Sequence, residues 1–188
     1  MIWKRLTDFI VSLSVLVALS PILLAIAVII CFDSPGNAIY KQKRIGRKGK
    51  FFEIYKFRTM YVGTPDLPTN EMQLRPTPVT KFGLFLRQTS LDELPQLVNI
   101  LKGEMSLVGP RPALYNQEDL TAKRLKTGVL EFLPGITGWA QVNGRDELPD
   151  NVKVEFDKWY VDHWHYFLVL ANSFCLLLKQ LCSRRGAI

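Results

Sequence analysis

Two histidines and three cysteines are all that this chain of 188 residues holds, and their scarcity removes whole classes of chemistry. His163 and His165 stand close together beside aromatics, with no cysteine or histidine partner at zinc-site spacing. Neither a zinc centre nor a histidine-based triad is expected. Cys31, Cys175 and Cys182 leave an odd thiol and place one in a hydrophobic segment, which fits inert filler in a reducing compartment. Internal repeats, low-complexity tracts, a Walker loop and a GxGxxG fingerprint are all missing, so P-loop and Rossmann nucleotide chemistry drop out. Acidic residues are also in deficit, 17 against 24 Lys and Arg, for a formal charge of +7. That surplus points to anionic partners, whether phosphorylated substrates, nucleic acid or acidic lipid. The length suits one domain with an appended segment and no second globular domain.

Charge is absent altogether from Phe9 to Phe32, a run longer than the roughly 20 residues a membrane helix needs. No small-residue cleavage site lies near Ile29-Ile30-Cys31-Phe32, so the run reads as a retained membrane segment, not a signal peptide. Ser20-Pro21 divides it. A mid-helix proline removes one hydrogen bond and clashes with the preceding turn, and each half alone is too short to cross. Lys4 and Arg5 precede the run, and Lys41, Lys43, Arg44, Arg47, Lys48 and Lys50 follow it, so both ends favour the cytoplasmic side. A re-entrant helix-break-helix over residues 1–33 is expected, with a cytoplasmic domain over residues 34–188.

After the turn at Asp33-Ser34-Pro35-Gly36, residues 39–45 and 51–60 alternate as two strands joined at Gly46-Arg47-Lys48-Gly49. Within this basic hairpin, Tyr55-Lys56-Phe57-Arg58 interleaves cations with aromatics, a pattern equally suited to phosphate, a stacked base, lipid headgroups or a solvated edge. Residues 62–80 read as a long loop, and residues 81–88 as a short helix carrying Arg87. The stretch Thr89 to Leu97 is central. Ser90 and Glu93 have capping-box spacing, and Leu91, Leu94, Val98 and Leu101 form a helical apolar stripe with Asp92, Gln96 and Asn99 opposite. A helix over residues 90–101 would hold Asp92 and Glu93 in its first turn, where backbone N–H groups and the dipole favour negative charge. Acids are common in first turns for that reason alone. Pro95 requires either a later start or a distorted first turn.

Residues 105–108 are an apolar run leading into Gly109-Pro110-Arg111-Pro112, where two prolines stiffen the backbone around one guanidinium. Residues 113–130 read as mostly helical, residues 133–145 as turns and a short strand, and residues 151–162 and 166–180 as helices. The uncharged run from Trp164 to Leu178 is short for a span and suits the interface or the core. The expected fold class is α+β, mainly helical, with a short hairpin and interfacial helices.

Four motifs in order, Lys56 to Met60, Ser90 to Gln96, Gly103 to Pro112 and Pro134 to Arg145, resemble the bacterial sugar transferase family. These are the monotopic phosphoglycosyl transferases, and the chain is most similar to their small PglC-like members. The resemblance implies transfer of a sugar phosphate from a UDP-sugar to polyprenol phosphate at the cytoplasmic face of the bacterial inner membrane. UMP is released, in the first membrane step of glycoconjugate assembly. It implies Asp92 as the nucleophile, a phosphosugar-aspartyl intermediate, Glu93 as a Mg²⁺ ligand, and Lys56, Arg58, Arg87, Arg111 and Arg145 as cations for the diphosphate. It also matches Ser20-Pro21 to the family's membrane-helix break. The family's acid in a Leu-Asp-Leu context corresponds here to Leu168-Val169-Leu170, with Asp157 and Asp162 upstream. Two other readings stand beside this one: a non-enzymatic basic module tethering nucleic acid or anionic lipid, and a hydrolase releasing the sugar phosphate to water. Under the transferase reading no nucleic acid partner is expected.

Overall fold

In the computed structural model, which describes residues 2–64, 78–144 and 148–164, helices and short strands are set on one long apolar helix. That helix, α1, runs from Ile2 to Asp33. Among the described residues it alone is long and apolar enough to cross a membrane. Asp8, Ser12, Leu16, Leu23, Ile26 and Ile30 follow helical spacing and face the rest of the chain. Phe9, Val17, Ile22 and Leu24 project outward, uncovered by protein. Both ends of α1 rest on the domain. Near its start Lys4 bonds Ser106 Oγ, and Arg5 Nη2 donates to the Leu101 carbonyl at 3.1 Å; near its end Ile26 and Ile30 pack with Phe57 and Leu86.

The break expected at Ser20-Pro21 does not interrupt the helix, and a side chain occupies the place of the missing bond. Pro21 has no N–H for the Val17 carbonyl four residues back, and Ser20 Oγ donates to that same carbonyl at 2.8 Å.

Strands β1 (Ile39–Ile45) and β2 (Phe51–Phe57) pair antiparallel, Ile39 opposite Phe57 and Ile45 opposite Phe51. The hairpin agrees with the alternation except at its end, where the ladder stops at Phe57 and Met60 makes an isolated bridge to Val79. Helix α2 (Lys81–Thr89) is capped by Thr80, whose Oγ1 accepts from the Gly83 N–H at 2.9 Å.

The predicted helix over residues 90–101 is resolved differently. Ser90 ends α2 in the left-handed region at φ 61°, Leu91–Glu93 forms one tight 3-10 turn, and α3 (Gln96–Lys102) begins only after Pro95. The capping box does not form, since Ser90 Oγ caps nothing and the Glu93 N–H bonds the Ser90 carbonyl at 3.2 Å. The expected polar face also turns inward. Asn99 is fully buried, its amide donating to the Glu53 carbonyl at 2.7 Å and accepting from the Tyr55 N–H at 3.0 Å, while Val98 is exposed. An open strand edge needs partners for its N–H and C=O groups, and one asparagine supplies them to β2.

Strand β3 (Ser106–Val108) runs parallel to β5 (Gly135–Thr137), and β4 (Ala113–Leu114) joins the free side of β1. Residues 113–130, expected to be mostly helical, divide into β4, α4 (Glu118–Lys126) and a 3-10 turn at Val129–Glu131. A short α5 (Trp139–Val142) and α6 (Asp150–Asp162) complete the described fold. The helix expected over residues 166–180 lies outside the described residues, as do Val169 and Arg145.

Candidate active site

The 3-10 turn places Asp92 and Glu93 side by side and inward, 7% and 4% exposed. Ser90, just before it, holds a positive φ that costs a non-glycine residue about 1 kcal/mol or more. Such strain persists only where the surroundings enforce it. Here the Arg87 and Ser90 carbonyls accept from the Ser90 and Glu93 N–H groups, joining the end of α2 to the acidic turn.

Two cations converge on one carboxylate oxygen. Lys56, near the end of β2, brings Nζ to 3.0 Å from Glu93 Oε1, and Arg111 brings Nη1 to 3.5 Å from the same atom. Burial pushes the Lys56 ammonium below its ordinary value; Glu93 opposes that shift, Arg111 reinforces it, and Asp92 and Arg44 act more weakly. Five charged groups therefore share one field. Arg44 is the member that sequence reasoning missed, because nothing distinguishes it from the other cations of the hairpin. Its Nη1 donates to the Pro112 carbonyl at 3.1 Å, so it also steadies the loop that carries Arg111.

That loop starts where two backbones touch. A Cβ on Gly109 would lie 2.4 Å from the Leu133 carbonyl oxygen, and one on Gly135 would lie 2.1 Å from the Gly109 nitrogen. Only glycine permits the approach that brings β3 and β5 together.

Of the remaining candidates, Arg58 stands apart. Arg58 is turned away to the α1–β1 junction, donating to the Ser34 and Pro35 carbonyls at 2.5 and 2.8 Å. The Cβ that Gly36 lacks would meet its guanidinium at 2.4 Å. The interleaved pattern at Tyr55 to Arg58 does not reveal this, since the strand ends between Lys56 and Arg58. Arg87, exposed at the end of α2, donates from Nε to Thr59 Oγ1 at 2.9 Å. Ser20 and Pro21 belong to α1 and its hydrogen-bond patch.

As to a metal, no group of three or more His, Cys, Asp or Glu side chains converges among the described residues. Among these residues no protein-only cage is built. Adjacent carboxylates nevertheless suit Mg²⁺, a hard ion commonly held by one or two carboxylates together with water and substrate phosphates.

The family model for bacterial sugar transferases matches residues 1–180. The chain belongs to the bacterial sugar transferase family. This bacterial sugar transferase is 42% identical over 189 residues to the uncharacterized sugar transferase EpsL of Bacillus subtilis, covering 99% of this chain and 90% of that protein. It is 38% identical to the UDP-glucose:undecaprenyl-phosphate glucose-1-phosphate transferase of Escherichia coli, over 96% of this chain and 40% of that protein. With the undecaprenyl-phosphate galactose phosphotransferase of Salmonella typhimurium the identity is 37%, over 94% and 39% respectively. The chain thus spans well under half the length of these last two relatives.

Proposed function

We propose that this chain moves a sugar 1-phosphate from a UDP-sugar to polyprenol phosphate, undecaprenyl phosphate in bacteria, through a covalent intermediate on Asp92. The observation that carries the reading is that Glu93, buried beside the buried Asp92, meets both Lys56 and Arg111. A module that only tethers anions has no use for two acids in its cationic pocket, because they repel the ligand. A phosphoryl transferase needs both, one acid to attack and cations to offset its approach to a diphosphate. The relatives' names, with UDP-glucose and undecaprenyl phosphate as substrates, agree with that chemistry.

In the first half-reaction an Asp92 carboxylate oxygen attacks the β-phosphorus, forming a carboxyl–phosphate bond. The bond from that phosphorus to the bridging oxygen breaks, and UMP leaves with the electron pair. In the second, a phosphate oxygen of the lipid attacks the same phosphorus and Asp92 departs as carboxylate, yielding polyprenyl-diphospho-sugar. Lys56 and Arg111 orient the donor and neutralise the charge it brings. Glu93 would hold Mg²⁺, whose contribution when bound is charge neutralisation on the diphosphate. Arg87 and Arg145 are the further cations we assign to substrate binding, whereas Arg58 acts on the membrane junction.

For α1 we propose a monotopic seat on the cytoplasmic face of the inner membrane. At about 1.5 Å per residue a straight helix of 32 residues could cross a core of about 30 Å. Crossing would, however, carry one end away from a domain on which both ends rest, so we place the outward apolar face in one leaflet and both ends on the same side. An Ile2→Cys variant on a background without native cysteines tests this. Labelling by an impermeant reagent from the periplasmic side would overturn it.

A panel of UDP-sugars incubated with undecaprenyl phosphate tests the reaction by UMP release. Mass spectrometry of enzyme quenched with donor alone should find the phosphosugar on Asp92, and an adduct elsewhere would sink the mechanism. UMP and free sugar phosphate formed equally well without lipid would identify a hydrolase.

A further inference from the structure

Resting on that reading of the Lys56–Glu93–Arg111 cluster, we propose that Arg124, Asp157 and Tyr160 are positioning residues for Arg111. They form a rigid frame in which α6 holds the loop from Val108 to Pro112 at Val108 directly and at Arg111 through Arg124.

Pro110 and Pro112 remove two N–H groups from this loop, so its carbonyls are the main handles by which it can be held. The carbonyls of Val108, Pro110, Arg111 and Pro112 each have a donor. Tyr160 Oη and Ser106 Oγ each donate to Val108 at 3.0 Å, the Gly135 N–H to Pro110 at 3.0 Å, Arg124 Nη1 to Arg111 at 2.7 Å and Arg44 Nη1 to Pro112 at 3.1 Å. The Arg124 guanidinium is itself fixed. Its Nε and Nη2 both donate to Asp157 Oδ2, at 3.0 and 2.6 Å, with the two residues 4% and 1% exposed. Asp157 and Tyr160 are three apart on α6 and thus share a face. One helix reaches the loop at its start through a hydroxyl and at the Arg111 carbonyl through a buried ion pair.

A buried ion pair contributes little net stability against well-packed apolar residues, because desolvation of both charges nearly cancels their attraction. What this pair does that a leucine pair could not is present a fixed donor to the backbone of the residue whose side chain meets Glu93. Burial pushes the Tyr160 phenol well above its ordinary range, which keeps it a neutral donor. Misplacement of a substrate-binding group by about 1 Å can cost a hundredfold in rate, so the frame acts on turnover without touching substrate.

The test has two arms on the full chain in lipid nanodiscs. In the first, hydrogen–deuterium exchange compares wild type with Asp157→Asn and with the milder Tyr160→Phe. Faster exchange confined to the peptide over residues 105–115 is expected, with α1 and α3 unchanged. No change there, or loss of protection across the fold, would overturn the frame. This arm stands whether or not the enzyme turns over, so failure of the proposed reaction is seen separately as absence of UMP release by wild type. In the second arm, kcat/KM for UMP release should fall roughly 10- to 100-fold in Asp157→Asn but less than about 2-fold when the same change is made in an Arg111→Ala background. An equal loss in both backgrounds means that Asp157 acts through something other than Arg111, and the proposal falls.

Discussion

Two lysine–carboxylate pairs with buried acids, nearly equal in length, are built to different ends. Lys4 and Asp8 sit 2.9 Å apart on α1, and Asp8 also accepts from Ser106 Oγ at 2.7 Å and from the Leu107 N–H at 3.4 Å. Every partner there is a neighbour of fixed position, and the result is a clamp between α1 and β3. Lys56 and Glu93 sit 3.0 Å apart, but there Arg111 crowds the same carboxylate oxygen, Asp92 stands next in the chain and Arg44 adds its field. The first arrangement is closed by hydroxyl and backbone. The second concentrates charge of both signs, as phosphoryl transfer requires.

Removing one acid from each pair gives the largest expected contrast. Asp92→Asn should lower UMP release by about a thousandfold or more, since an amide is a poor nucleophile, while thermal unfolding in detergent changes little. Asp8→Asn should do the reverse. It leaves the partly buried Lys4 without its counter-ion and Ser106 with a weaker acceptor, at a cost of about 1–3 kcal/mol, while the surviving folded protein keeps its turnover. Loss of turnover with intact stability in Asp8→Asn would erase the distinction.

Next in size is a pH effect confined to the Lys56–Glu93 pair. With the folded-state value of Lys56 lowered, mainly by burial and against the pull of Glu93, its charge is lost at a pH below the ordinary lysine range. The alkaline limb of kcat/KM should therefore fall early, and Lys56→Arg, which stays charged, should abolish that limb. Stability moves oppositely. The native state releases this proton before the unfolded chain does, so the advantage of wild type over Lys56→Met should grow as pH rises from the folded towards the unfolded value. An alkaline limb unchanged in Lys56→Arg would assign it to another group.

Arg58 sharpens the comparison at smaller scale and marks how far sequence reasoning reached. Lys56 and Arg58 look equivalent in the interleaved motif, yet one meets Glu93 and the other the Ser34 and Pro35 carbonyls. Arg58→Ala should cost roughly 1–3 kcal/mol by leaving those carbonyls without their donor, with a far smaller loss of turnover than Arg111→Ala. A fall in kcat/KM as large as that of Arg111→Ala at unchanged stability would return Arg58 to the site.

What was legible depended on local pattern. Alternation located β1 to the residue, and the run of uncharged residues located α1. The acidic pair was visible because it is contiguous, and Arg111 because prolines flank it. Ser90 was misread because serine favours an N-cap and is costly in the left-handed region, so only the end of α2 reveals its positive φ. Asn99 was assigned outward because polarity alone cannot report an open strand edge in need of partners. Arg44 and the Arg124–Asp157 pair acquire meaning only through contacts distant in sequence, for which no short motif exists.

The smallest expected effect lies in α1. If Ser20 Oγ stands in for the N–H that Pro21 lacks, its worth depends on Pro21 being present. Ser20→Ala should cost about 1 kcal/mol, the usual scale for a side-chain hydrogen bond in a membrane helix, because the Val17 carbonyl would be left facing hydrocarbon. In a Pro21→Ala background the backbone N–H returns to that carbonyl, and the same Ser20→Ala change should then cost less than half as much. Thermal unfolding of the four proteins in one lipid composition measures the coupling. Equal costs in both backgrounds would mean that the hydroxyl does not patch the ladder. The continuity of α1 through Pro21 would then rest on its packing against the domain alone.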